Sequence, residues 1–172
     1  VVQGYDTINI VCIGSDKATG DCLGPLVGTF LEKGIKNTSV KIYGTLKSPV
    51  HAFNLSDLVE KINKENSLTI AVDAALSDPG KVGKIFVKEG PIEPGSGLGK
   101  KLPHVGDISV TGVVNFFQGH LTHLRLQSTN LSIVYELSKT IASGIKSTIN
   151  KLQKESLINE NLKEAAITNS RT

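Results

Sequence analysis

Residues 8–14 read Ile8-Asn9-Ile10-Val11-Cys12-Ile13-Gly14, and this run decides the fold. A short apolar stretch rich in β-branched side chains and ended by glycine reads as a strand buried on both faces, the kind found in parallel sheets. The polar loop Ser15 to Asp21 then leads into Leu23, Leu26, Val27, Phe30 and Leu31, whose spacing puts one apolar stripe on a helix ending near Gly34. Val40 to Thr45 reads as a second strand, Asn54 to Lys64 as a helix capped by Asn54 or Ser56, and Leu68 to Ala74 as a third strand. The pattern to this point is βαβαβ.

Beyond the turn Asp78-Pro79-Gly80, residues 82 to 88 alternate as an edge strand would, and a Gly/Pro-rich segment runs from Gly90 to Gly106. Residues 109 to 118 are expected to form a short helix and Leu121 to Leu126 a strand. Ser128 or Thr129 then caps a long helix to about Leu152, with the stripe Ile133, Leu137, Ile141, Ile145, Ile149. Residues 153–172 are polar and read as a helical extension of a single domain spanning 1–152. The fold class expected is α/β, a largely parallel sheet with helices on both faces.

Composition narrows the function. The chain has 172 residues, enough for one domain with a self-sufficient core. Its net charge is +3, with Arg125 the one arginine away from the C-terminal tail and eight aromatics in all. Lysines scattered among acids do not make the basic stripe that nucleic acid requires, so no nucleic-acid partner is expected. No apolar run approaches the roughly 20 residues of a membrane span, and the first residues given lack a basic n-region followed by an apolar h-region. Cys12 and Cys22 are too few for a disulfide scaffold. A cytoplasmic protein is expected. The chain begins at Val1 and holds no Met, which reads as a processed chain.

In parallel α/β sheets functional groups collect beyond the carboxyl ends of the strands. Asp21 closes the loop after the first strand and Asp73 ends the third, so two carboxylates are expected on one edge of the sheet. Taken singly, Asp21 is an ordinary helix N-cap and Asp73 an acceptor of backbone N–H groups. As a pair they suit general acid and base chemistry, because proximity and burial raise one pKa, or they hold a divalent cation. His51, after the second strand, approaches the same edge as a metal ligand or proton relay, with Asn54 beside it as a further polar candidate for substrate. No cofactor is required by these residues. A divalent metal at Asp21, Asp73 and His51 is the one candidate.

His104, His120 and His123 are weaker: His104 lies in a Pro-bounded loop, and the other two flank or enter the expected strand at 121–126 without a carboxylate at matching spacing. The run Pro94-Gly95-Ser96-Gly97-Leu98-Gly99-Lys100-Lys101 fails the Walker A template at 94 and 101 and the dinucleotide template at 100. Gly95, Ser96, Gly97 and Gly99 remain a loop whose backbone N–H groups suit an anion or an extended peptide.

Several ordered blocks together resemble one family. Ile13-Gly14-Ser15-Asp16-Lys17-Ala18-Thr19-Gly20-Asp21-Cys22-Leu23-Gly24-Pro25, Ser48-Pro49-Val50-His51-Ala52, Ile70-Ala71-Val72-Asp73-Ala74 and Leu102-Pro103-His104-Val105-Gly106-Asp107 resemble the YyaC-type sporulation proteins, over nearly all of the chain to about residue 145. That family is similar to the spore germination protease and, more distantly, to the hydrogenase maturation endopeptidases. The resemblance implies a three-layer αβα sandwich of the phosphorylase/hydrolase-like type. It also implies an aspartate-dependent endopeptidase acting on spore proteins, with Asp21 and Asp73 catalytic. The maturation endopeptidases add a histidine from a later loop to hold nickel, and no histidine here clearly matches it. The alternative implied function is a non-catalytic sporulation factor that binds protein or peptide on the same fold. A phosphorylase-like enzyme would need a phosphate-binding arginine that this chain does not display.

Overall fold

The computed structural model describes residues 4–62, 65–94, 102–117 and 121–169. In chain order these form β1 (Thr7–Cys12), α1 (Leu23–Gly34), β2 (Val40–Tyr43), α2 (Leu55–Ile62), β3 (Ser67–Ser77), β4 (Ile85–Glu89), β5 (Ile108–Phe116), α3 (Thr122–Gln127) and α4 (Leu131–Asn169), with short 3-10 turns at Gly20–Cys22 and Pro79–Lys81. One five-stranded sheet has the order β2-β1-β3-β5-β4. β1 runs parallel to β2 and β3, and β3 parallel to β5, while β4 is antiparallel at the edge. The architecture is a three-layer αβα sandwich.

Strand periodicity explains the layers. Ile8, Ile10 and Cys12 of β1 face α1 and α4, whose buried residues Leu23, Val27, Leu31, Val134, Leu137, Ile141, Ile145 and Ile149 complete the larger core. Val11 and Ile13 face the other way, against Leu55 and Ile62 of α2 and against Ile92 and Val105 from the segment after β4. Each such side chain contributes about 1.5–3 kcal/mol on burial. The polar residue inside β1, Asn9, is satisfied there: its Nδ2 donates to Ile62 O at 3.4 Å.

Two expected elements are exchanged. Residues 109–118 were expected as a helix, but residues 109–116 belong to β5 (Ile108–Phe116), with Val110, Val113 and Val114 buried; residue 118 lies outside the described residues. Residues 121–126 were expected as a strand, but Leu121 is the N-cap position of α3 and residues 122–126 are helical within it. The expected caps also differ. Thr129 and Ser128 donate their hydroxyls back to Arg125 O, at 2.7 and 3.4 Å, rather than capping α4. The Asn54 side chain serves the loop before α2, as described below.

Candidate active site

The carboxyl-end side of β1, β3 and β5 and the loop after β2 surround a cleft of about 690 Å³ lined by Asp21, His51 and Asp73, with Thr111, His123, Glu93, Phe53 and Phe117 among its other walls. Asp73 follows Val72, which is fully buried. It pairs in register with Thr111, and the β3–β5 ladder is broken by a register shift just beyond, between Ala75 and Leu76. Such an irregularity re-aims a strand end beside a site.

Asp21 reaches the cleft by a different route. Gly14 N–H donates to Val50 O at 2.8 Å, Ser15 N–H to Asp21 O at 3.1 Å, and Asp21 N–H to Ala18 O at 3.0 Å, so the loop folds back on itself. The 3-10 turn at Gly20–Cys22 carries Asp21, and the N-cap position of α1 is Cys22, with no side-chain capping bond. Gly14 has φ +144°, and a Cβ there would overlap the backbone oxygen of Asp21. Only glycine permits this approach.

Burial pushes the Asp73 carboxyl from its ordinary 3.8 up to about 8, and the charge of Asp21 pushes in the same direction, against the lowering effect of the Ala74 N–H that donates to Asp73 Oδ1 at 2.8 Å. At neutral pH Asp73 is therefore largely a carboxylic acid. The thiols have no comparable role. Cys12 is fully buried and Cys22 is half-buried, and burial raises both, with Asp21 and Asp16 raising Cys22 further.

His51 lies on the cleft wall, with Phe53 beside it in an edge-on ring contact. Asn54 lies outside the cleft. Its Oδ1 accepts from His51 N–H at 2.8 Å and its Nδ2 donates to Pro49 O at 3.0 Å, so it holds the loop that presents His51. The loop residues Gly95, Ser96, Gly97 and Gly99 lie outside the described residues, though Pro94 and Leu102 line the cleft. His123 was undervalued by the sequence. Once 122–127 is a helix following the carboxyl end of β5, His123 lines the cleft. His104 faces Glu93 at 3.7 Å on the surface.

Among the described residues no group of three or more His, Cys, Asp or Glu side chains is arranged to hold a metal ion. Asp21, Asp73 and His51 thus share a cleft without forming a ready coordination set. A buried carboxyl whose proton affinity is raised, sharing a partly apolar cleft with a second carboxyl group, is suited to moving protons.

A family described as "Protein of unknown function (DUF1256)" matches residues 1–144. The uncharacterized protein YyaC of Bacillus subtilis (strain 168) is 43% identical over 143 residues, covering 82% of this chain and 69% of that protein. Among solved structures, the [NiFe] hydrogenase maturation protease HycI of Thermococcus kodakarensis KOD1 superposes with a TM-score of 0.55 at 18% identity, over 86% of this chain and 95% of that one. A peptidyl-tRNA hydrolase of Acinetobacter baumannii superposes with a TM-score of 0.52 at 14% identity, over 92% and 94%. These two likenesses show a shared α/β fold. Fold alone leaves the chemistry to the site.

Proposed function

The chain belongs to the DUF1256 family, and from that premise we propose that it is a sporulation-associated endopeptidase that hydrolyses protein or peptide substrates with Asp21 and Asp73. The observation that carries this reading is that Asp21 and the buried Asp73 line one cleft, where burial and the charge of Asp21 both favour the protonated form of Asp73. The protease-like fold of its structural neighbour supports it.

The two carboxyl groups divide the work. Asp21, as carboxylate, takes a proton from a water molecule whose oxygen bonds to the carbonyl carbon of the amide. Asp73, as acid, gives its proton to the amide nitrogen, the C–N bond breaks, and the products are a carboxyl group and an amine. Solvent exchange then returns the proton from Asp21 to Asp73 and resets the pair. General acid–base catalysis of this kind contributes about 10²- to 10⁴-fold. No step runs through a metal.

The test is incubation of the pure chain with small acid-soluble spore proteins and with extended peptides, with chelator and with divalent ions. Chelator-resistant cleavage that Asp21→Asn and Asp73→Asn each abolish is the expected result. Binding without cleavage by the folded chain would reject the peptidase in favour of the non-catalytic sporulation factor.

A further inference from the structure

Resting on that peptidase reading, we infer that His51 is a catalytic residue whose Nε2–H, fixed in a single tautomer, donates to the carbonyl oxygen of the scissile amide. The two aspartates serve the water and the leaving nitrogen and leave that oxygen without a partner. His51 is the cleft residue whose hydrogen bonds fix its protonation pattern.

The polar groups of this residue are assigned one by one. His51 N–H donates to Asn54 Oδ1 at 2.8 Å. Its carbonyl accepts from Asn54 N–H at 3.1 Å and Leu55 N–H at 3.0 Å. Its Nδ1 accepts from Phe53 N–H at 3.3 Å. A ring nitrogen that accepts carries no proton, and a neutral imidazole has one, so that proton is on Nε2. The ring is further set by the edge contact with Phe53, centroids 5.8 Å apart at 82°. His51 lines the cleft on a loop that Asn54 ties to Pro49, and with Nδ1 taken by Phe53 N–H, Nε2–H is the donor its ring has left to offer.

A fixed donor aimed at developing charge accelerates acyl transfer because it needs no reorganisation as the reaction proceeds. As the water oxygen bonds to the carbonyl carbon, the C=O π pair moves onto the oxygen and is met by Nε2–H. The pair returns to re-form C=O as the C–N bond breaks and nitrogen leaves with the proton from Asp73. His51 keeps its own proton throughout, which separates it from a general base and from a metal ligand through Nε2.

The experiment has two arms. In the first, imidazole nitrogen NMR of the intact chain at neutral pH should show His51 as the Nε2–H tautomer, and an Nδ1–H tautomer overturns the inference whatever the activity. The second arm compares peptide cleavage by the parent with His51→Ala, His51→Gln and His51→Asn, each checked for folding by thermal unfolding. Gln places an amide N–H near the position of Nε2, whereas the shorter Asn does not. His51→Ala is expected to lower kcat by about 10²- to 10³-fold with little change in KM. His51→Gln should recover at least about tenfold of that loss and His51→Asn should not. Equal loss in Gln and Ala, with an active parent, overturns the donor role and leaves the peptidase standing. A folded parent that cleaves nothing overturns both.

Discussion

The charge of Asp21 raises the proton affinity of Asp73, in addition to the larger effect of burial. The sign of the stability consequence follows from where the proton is bound. With the native carboxyl at about 8 against an ordinary 3.8, the folded chain holds a proton that the unfolded chain has lost throughout that interval. The contribution is fully present below about pH 4, declines as pH rises, and is gone above about pH 8. Asp73→Asn removes this dependence while keeping an oxygen for the Ala74 N–H. The variant should match the parent near pH 4 and exceed its stability by ~1–3 kcal/mol near pH 9. Urea unfolding of both proteins across that range checks it, and a pH-independent difference would contradict the raised carboxyl.

The same proton sets an activity limb. If Asp73 delivers the proton to the leaving nitrogen, kcat/KM for peptide cleavage falls as pH rises through about 8. Asp73→Asn and Asp21→Asn should each lower kcat by about 10³-fold or more without loss of fold. A pH–rate profile with no alkaline limb would remove Asp73 from the acid role.

Much of the candidate site was legible from the sequence, because β1 and β3 announce themselves by β-branched runs; Asp21 lies in the turn that closes the loop after β1, while Asp73, expected to end its strand, sits inside β3, which runs on to Ser77. Parallel βα connections then leave little choice of edge. The far half of the sheet was less readable. Residues 108–116 mix Gly112 and Asn115 into a strand, and Gly112 is needed where Leu23 and Ile141 press against β5. Residues 121–126 carry three leucines over a length too short for helical period to assert itself. That exchange displaced His123 from the edge on paper, although α3 places it in the cleft. The role of Asn54 was hidden for another reason: a residue before a helix reads as its cap, but here the preceding loop claims the side chain.

Phe53 is 89% exposed at the cleft wall. An aromatic side chain left in water contributes little to folding, so Phe53→Ala should change stability by no more than ~0.5 kcal/mol. Its backbone N–H still donates to His51 Nδ1 and keeps the tautomer while the edge contact that helps set the ring is lost, so kcat should fall far less than in His51→Ala. The expected effect is a rise in KM of about tenfold for substrates with bulky apolar side chains near the cut, equivalent to one lost apolar contact. Steady-state kinetics on matched apolar and polar peptides would show it, and an unchanged KM for both would place Phe53 off the substrate path.

Gly14→Ala should disable the site from behind. The added Cβ would overlap Asp21 O and lie 3.0 Å from Pro25 Cδ, at a φ of +144° that a side chain rarely adopts. Neither contact can yield easily, since one is backbone and the other belongs to the first turn of α1. Strain and overpacking together should cost ~2–4 kcal/mol. The 3-10 turn must shift to relieve them, and Asp21 moves with it, so cleavage should fall even under conditions where the variant is fully folded. Gly80→Ala is the matched control: its Cβ would meet nothing within 4 Å and its φ lies outside the left-handed range. That change should leave stability within ~0.5 kcal/mol and activity intact. Thermal unfolding together with cleavage assays on both variants decides the matter, and a Gly14→Ala protein with parental stability and turnover would show that the Asp21 turn does not depend on this close approach.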